Sequence, residues 1–193
     1  MQHTAAKSDL RAATLARRSA MDPRARAEAA RSLRDAVLAV PELEMAGTVA
    51  AYVSIGTEPD TRGLLLALWK RGTYVLLPRL RPDNDLDWAS YEGPDSLVPG
   101  PHGLLEPSEP PRGPDAVSSA DVVLVPALAV DRRGMRLGRG GGSYDRALAR
   151  VGPAILTAAL IYDGELIDAL PAEPHDRHVR AAVTPSEGLV RLT

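Results

Sequence analysis

The stretch Arg136-Leu-Gly-Arg-Gly-Gly-Gly-Ser-Tyr-Asp145 holds the residues best suited to chemistry on a polyphosphate. Five of the sixteen glycines, at 134, 138, 140, 141 and 142, crowd around Arg136 and Arg139, and Asp145 ends the run. An apolar segment, 121–130, precedes it and a helix-like segment, 143–151, follows. A strand, a glycine-rich turn and a helix start together make an anion site. Glycine lets the backbone approach phosphate oxygens, and a helix N-terminus directs free N–H groups at them. A flexible surface linker is the plainer reading of the same glycines. The P-loop pattern is excluded, because no lysine stands beside these glycines. The dinucleotide fingerprint is excluded too, since its third glycine would fall on Ser143.

Other charged residues offer partners for that loop. Lys7 and Arg11 are four apart and share a face of the first predicted helix, where they would meet one anion or simply face solvent. Lys7 stands out because it and Lys70 are the only lysines among 23 basic residues. Asp145 is either a Mg²⁺ ligand or an acid suited to the first helical turn. Asp60 is open to both a site role and a capping role. The loop His175-Asp176-Arg177-His178, flanked by Pro171 and Pro174, fits a zinc site, a second magnesium carboxylate or an ordinary surface loop.

Elements to position these groups follow from periodicity. Lys7–Ala20 reads as a helix of good helix formers. A second begins at Asp22-Pro23, buries Ala30, Leu33, Val37 and Val40, and ends at Pro41. Residues 48–54 are β-like, with Val49, Ala51 and Val53 on one face. Pro59-Asp60-Thr61 opens a helix carrying Leu64, Leu65 and Leu68. Strands are expected at 73–77, 86–91, 121–130, 155–162 and 179–184. Seven of seventeen prolines fall in 92–115, which excludes regular structure over most of that stretch. Alternating helices and strands predict a single α/β domain over 1–193: three α/β/α layers, a mainly parallel Rossmann-like sheet and two N-terminal helices. Ligands of such sheets bind beyond the carboxyl ends of the strands, where the glycine loop sits.

Composition narrows the function classes. Apolar residues are 45% and charged residues 25%, an ordinary soluble balance. A net charge of −2 argues against nucleic acid or an acidic membrane as partner. No apolar run approaches the roughly 18 residues of a membrane span. The first residues lack a secretory h-region, so the cytoplasm is the expected location, and no surface stripe predicts more than a monomer. Without cysteine, thiolate catalysis is excluded.

Taken in order along the chain, these segments resemble the 5-formyltetrahydrofolate cyclo-ligase family, also called 5,10-methenyltetrahydrofolate synthetases. The resemblance runs through Lys7-Ser-Asp-Leu-Arg11, Tyr52–Thr61, Leu77-Pro-Arg79, Gly103–Pro107, Pro126–Asp131, Gly134–Asp145 and His175-Asp176, with 126–145 the most specific block. It implies an ATP- and Mg²⁺-dependent ligase. The formyl oxygen of 5-formyltetrahydrofolate attacks the γ-phosphate, N10 attacks the activated carbon, and ring closure releases phosphate. The resemblance further implies ATP contacts from Lys7, Ser8, Asp9, Leu10 and Arg11, and from Arg136, Leu137, Gly138, Arg139, Gly140, Gly141, Gly142, Ser143 and Tyr144. Folate contacts are implied for Ile55, Asp60 and 139–143, with Asp60 hydrogen-bonding the pterin, and Mg²⁺ for Asp145 and Asp176. Ser143 where many members carry a second tyrosine, Gly141 where some carry lysine, and Asp60 where some carry glutamate are departures. An ATP- and folate-binding paralogue with little turnover stays open. So does an enzyme acting on another phosphorylated substrate, whose best nucleophile or base would be Glu106.

Overall fold

The computed structural model describes residues 2–193, with side chains from Ala6 onward. The chain starts with α1 (Gln2–Ser19) and α2 (Pro23–Leu38). Asp22 caps α2, its carboxylate accepting from the amides of Arg24 and Ala25, and Pro23 occupies the first turn. Pro41 ends the second helix as expected, and it also starts α3 (Pro41–Glu44), because proline's missing N–H is no loss at a helix start. Then come β1 (Thr48–Ala50), α4 (Arg62–Lys70), β2 (Tyr74–Leu80) and β3 (Leu86–Ser90).

The main sheet has seven strands. It is completed by β6 (Val122–Pro126), β9 (Leu156–Leu160), β11 (Ala181–Thr184) and β12 (Gly188–Arg191), in the order β12-β11-β9-β6-β1-β2-β3. The pairings from β11 through β2 are parallel, and the two edge pairings are antiparallel. The expected mainly parallel α/β sheet is therefore present. Burial alternates along it. Val49 and Ala51 join the apolar layer holding Leu33, Val37, Leu64, Leu65 and Leu68 of α2 and α4. Ala50 turns to the opposite layer, with Trp88, Val117, Ala147 and Leu148. The latter two lie on α5 (Ser143–Ala149). Both faces are covered, which is why Val122–Val125 is apolar without alternation.

Three expectations change in detail. The stretch 121–130 is two strands, not one: β6 stops at Pro126, and β7 (Ala129–Asp131) forms the middle of a smaller three-stranded sheet. That sheet is completed by β8 (Arg136–Leu137) and β10 (Leu166–Ile167). The ladder of β1 ends at Ala50, short of Ser54. Between Glu92 and Asp115 there is more order than the prolines imply, in the antiparallel pair β4 (Leu97–Pro99) and β5 (Leu105–Pro107).

Candidate active site

The small sheet aims the glycine loop. Asp131, fully buried, accepts from the amides of Arg133, Met135 and Leu170, which fixes the turn between β7 and β8. At Gly134 (φ +83°) a Cβ would lie 2.2 Å from the Val179 carbonyl oxygen, so only glycine allows that backbone approach. The Val179 amide then donates to the Gly134 carbonyl at 2.8 Å, drawing the 173–178 loop against the glycine loop. After β8 the chain runs through the glycines, and Gly142 (φ +69°, left-handed) starts α5 with no side-chain cap.

Around this loop lies one cavity of about 390 Å³. Lys7 and Arg11 reach it from α1, every residue from Arg136 to Asp145 lines it, and Asp176 closes it from the far loop. These groups lie far apart in sequence, and they come together as expected. Ile55 also lines the cavity.

Four expected residues lie elsewhere. Ser8 and Asp9 are exposed, because one or two steps along a helix turn a side chain away from the Lys7–Arg11 face. Leu10 packs beside Leu128, Met135 and Leu137 instead of facing the cavity. Asp60 is exposed, and its carboxylate accepts from Ser54 Oγ at 3.2 Å and the Arg62 amide at 2.9 Å, a turn-closing role. The acid at the wall is Glu58, two residues earlier. Its Oε2 accepts the Ile55 amide at 2.9 Å, and its Oε1 faces Arg139 Nε at 3.3 Å. Burial raises the Glu58 pKa above the usual glutamate value, with the Ile55 amide and Arg139 pulling the other way. Glu106, the candidate base of the rival reading, is also outside the cavity. It is 7% exposed, and it accepts the Leu80 amide at 2.8 Å.

Besides Glu58, the cavity is lined by Tyr52, Val53, Ile55, Leu80, Leu86 and Leu104, which give it a mostly apolar wall. Tyr52 is 3% exposed, and its hydroxyl has no partner among the described residues. The side carrying Lys7, Arg11 and Arg136 differs, since these cations already have partners within the protein. Lys7 Nζ lies 2.7 Å from Asp176 and 3.2 Å from Glu173. Burial pulls the Lys7 pKa down, but the two carboxylates outweigh it and hold it above the ordinary lysine value. Arg136 donates to Asp145 Oδ1 at 3.1 Å and lies over the Tyr144 ring, while Arg11 donates to the Gly138 carbonyl at 2.8 Å.

Both metal candidates are hard oxygen donors with capacity left. Asp145 Oδ1 accepts from Arg136 and the Arg177 amide, and Asp176 Oδ2 from Lys7 and the Glu173 amide. Among the described residues, Asp145 Oδ2 and Asp176 Oδ1 make no hydrogen bond. Carboxylates lining a cavity beside a glycine loop fit Mg²⁺, which takes one or two carboxylates and leaves the rest of its sphere to water and phosphate. Glu173, His175 and Asp176 also bring ligand atoms within 4.8 Å of one another. Among the described residues no helix is long and apolar enough to cross a membrane.

Sequence reasoning found the loop because glycine and arginine spacing is local. It missed Glu58, which stands in the same Thr57-Glu-Pro-Asp60 stretch; the turn at Gly56 decides which acid faces inward, and composition does not show that.

Comparison with known proteins places the whole chain. The profile of the 5-formyltetrahydrofolate cyclo-ligase family matches residues 3–185. A 5-formyltetrahydrofolate cyclo-ligase of Mycolicibacterium smegmatis is 42% identical over 96% of this chain and 97% of its own length. The cyclo-ligase of Escherichia coli is 34% identical over 89% of this chain and 96% of its own. The solution structure of 5,10-methenyltetrahydrofolate synthetase from Aquifex aeolicus superimposes with a TM-score of 0.83 at 29% identity, covering 96% of this chain and 92% of the other. On its sequence and its fold alike, the chain belongs to the 5-formyltetrahydrofolate cyclo-ligase family.

Proposed function

We propose that this ligase converts 5-formyltetrahydrofolate to 5,10-methenyltetrahydrofolate with MgATP, releasing ADP and phosphate. The observation that carries the reading is the meeting, in one cavity, of Lys7 and Arg11, the Arg136–Tyr144 loop, and the Asp145 and Asp176 carboxylates. Phosphoryl transfer asks little covalent help of a protein; it needs reactants in line and charge neutralised.

In this assignment Lys7, Arg11 and Arg136 give up their present partners to the triphosphate, and the loop amides complete the cradle. Asp145 and Asp176 hold Mg²⁺, which when bound spreads the negative charge of the phosphates. The apolar wall takes the pterin. Glu58 takes the hydrogen-bonding role that Asp60 was expected to fill, since Glu58 faces the cavity and Asp60 does not. The formyl oxygen then attacks the γ-phosphorus as the bond to the β–γ bridging oxygen breaks and ADP leaves. N10 attacks the activated formyl carbon and gives up its proton to solvent, and the C–O bond breaks to release phosphate. The buried walls keep water from the activated carbon.

The proposal extends to one domain working as a cytoplasmic monomer on free small molecules. The net charge of −2 supports that, as it offers no broad cationic face for nucleic acid or an anionic membrane. The test is the appearance of the methenyl chromophore when the protein is mixed with 5-formyltetrahydrofolate. Signal should require both ATP and Mg²⁺ and should collapse in Lys7→Ala and Asp145→Ala. A wild-type protein that binds either ligand without producing the chromophore sinks the catalytic reading.

A further inference from the structure

The first helix is fastened unlike an ordinary surface helix. The buried side chains described on α1 are Lys7, Thr14 and Arg18, all polar, at 6%, 5% and 0% exposure. With Arg11 they fall on one face at the spacing of successive turns. Its apolar contribution is Leu10 and Leu15, both only partly buried.

Arg18 enters the molecule completely. Its Nε donates to Glu165 Oε1 at 2.9 Å, and its Nη2 to Glu165 Oε2 at 2.6 Å and to the Ala127 carbonyl at 2.7 Å. The guanidinium carbon lies 5.3 Å from the Tyr162 ring centroid. Glu165 is equally buried and also accepts from Arg17 at 2.9 Å and from the Tyr162 amide at 2.8 Å. Its backbone carbonyl takes the Val130 amide of β7 at 2.9 Å. Glu165 is thus built into the small sheet whose strand β8 leads straight into the glycine loop. The pair ties the helix carrying Lys7 and Arg11 to the sheet carrying Arg136.

Stability alone does not account for such a pair. Apolar replacement of a buried ion pair is often neutral or stabilising, and here Arg18 Nη1 has no partner among the described residues. What the pair supplies is register. Lys7 lies eleven residues from Arg18, about 16 Å along a helix. A tilt of about 10° at Arg18 would move the Lys7 backbone by about 3 Å, more than a hydrogen bond tolerates. Misplacement of about 1 Å can already cost on the order of 100-fold in rate.

We infer that Arg18 and Glu165 are a positioning pair for the nucleotide: a buried pin that fixes the angle at which α1 delivers Lys7 and Arg11 to the phosphates. The inference rests on the ATP reading above. The experiment measures MgATP binding by calorimetry, 5-formyltetrahydrofolate KM and thermal unfolding for wild type and for the double variant Arg18→Met/Glu165→Gln. Glutamine keeps an acceptor for the Tyr162 amide, and methionine keeps a side chain of similar reach. The expected result is a cooperative melt near that of wild type, a folate KM within about twofold, and an ATP dissociation constant raised about tenfold or more. Unchanged ATP affinity in the folded variant overturns the inference, and so do equal losses for both ligands, which would mark a merely structural contact. Should the double variant not fold, Arg18→Lys, which keeps the charge without the two-pronged geometry, is read by the same criteria. A wild-type protein that binds no MgATP fails the functional reading itself, and this inference with it.

Discussion

Two helices that read alike in sequence are held to the molecule by different chemistry. Both α1 and α2 are rich in alanine, arginine and leucine, and both satisfy helical periodicity. The second buries Leu33 and Val37 against the sheet. The first buries Lys7, Thr14 and Arg18. An apolar stripe is non-directional and tolerates small shifts, whereas charged groups must meet their partners within tenths of an ångström. The difference therefore separates an element that builds the fold from one that brings charged groups to the cavity.

The sharpest way to break that contrast is a pair of truncations. Leu33→Ala should lower unfolding free energy by about 2–5 kcal/mol, the range for emptying a core leucine site, with turnover per folded molecule unchanged. Lys7→Ala should do the reverse. Loss of a phosphate-directed cation should cut ATP-dependent turnover on the order of 100- to 1,000-fold. The stability change should stay smaller than that of Leu33→Ala, because Asp176 and Glu173 border the cavity and can hydrate from it. Denaturant melts alongside single-turnover rates check both. If the two variants lose stability equally, α1 is an ordinary packing helix.

A second contrast lies within one turn. Glu58→Gln should raise the folate KM about 10- to 100-fold, the cost of losing a charged hydrogen-bond partner, while Asp60→Asn should leave it within about twofold. Reversed effects would return the pterin contact to Asp60. A smaller effect is expected at the start of α2. Asp22→Ala removes the acceptor for the Arg24 amide at 2.7 Å and should cost about 1 kcal/mol without changing either KM.

These pairs also show what could be read from the sequence. The parallel sheet, both N-terminal helices and the glycine loop were legible, because apolar periodicity and glycine–arginine spacing are local patterns; the meeting of Lys7 and Arg11 with that loop was legible only through the family resemblance. The Arg18–Glu165 pair was not: its members are 147 positions apart, and nothing near either residue names the other. The split of 121–130 follows from Pro126 at the end of β6, yet Pro126 in an apolar run also reads as an edge residue of one strand. Glu58 and Asp60 differ only in where a turn points them. Order in 92–115 was hidden because proline argues against helices and central strands but allows a short edge pair such as β4–β5.

The smallest predicted effect compares two carboxylates by pH. At Asp85, the two hydrogen bonds from Arg150 (2.8 and 2.6 Å) outweigh burial and hold the pKa below the usual aspartate value. The unfolded chain then binds its proton first as pH falls. Asp85 therefore contributes stability that is full above the ordinary aspartate pKa and is lost as pH drops through the lower folded value. At Glu58 burial raises the pKa, so the sign reverses. Between the ordinary glutamate pKa and the raised one, the folded chain keeps a proton that the unfolded chain has released. Stability declines as pH rises through that interval and then levels off. Melting curves of wild type, Asp85→Asn and Glu58→Gln across the acid range give the two differences directly. The advantage of wild type over Asp85→Asn should shrink toward low pH, and the advantage of Glu58→Gln over wild type should grow toward neutral pH. Parallel curves for Glu58→Gln and wild type would mean that the cavity wall already solvates Glu58, and that burying this acid costs the fold nothing.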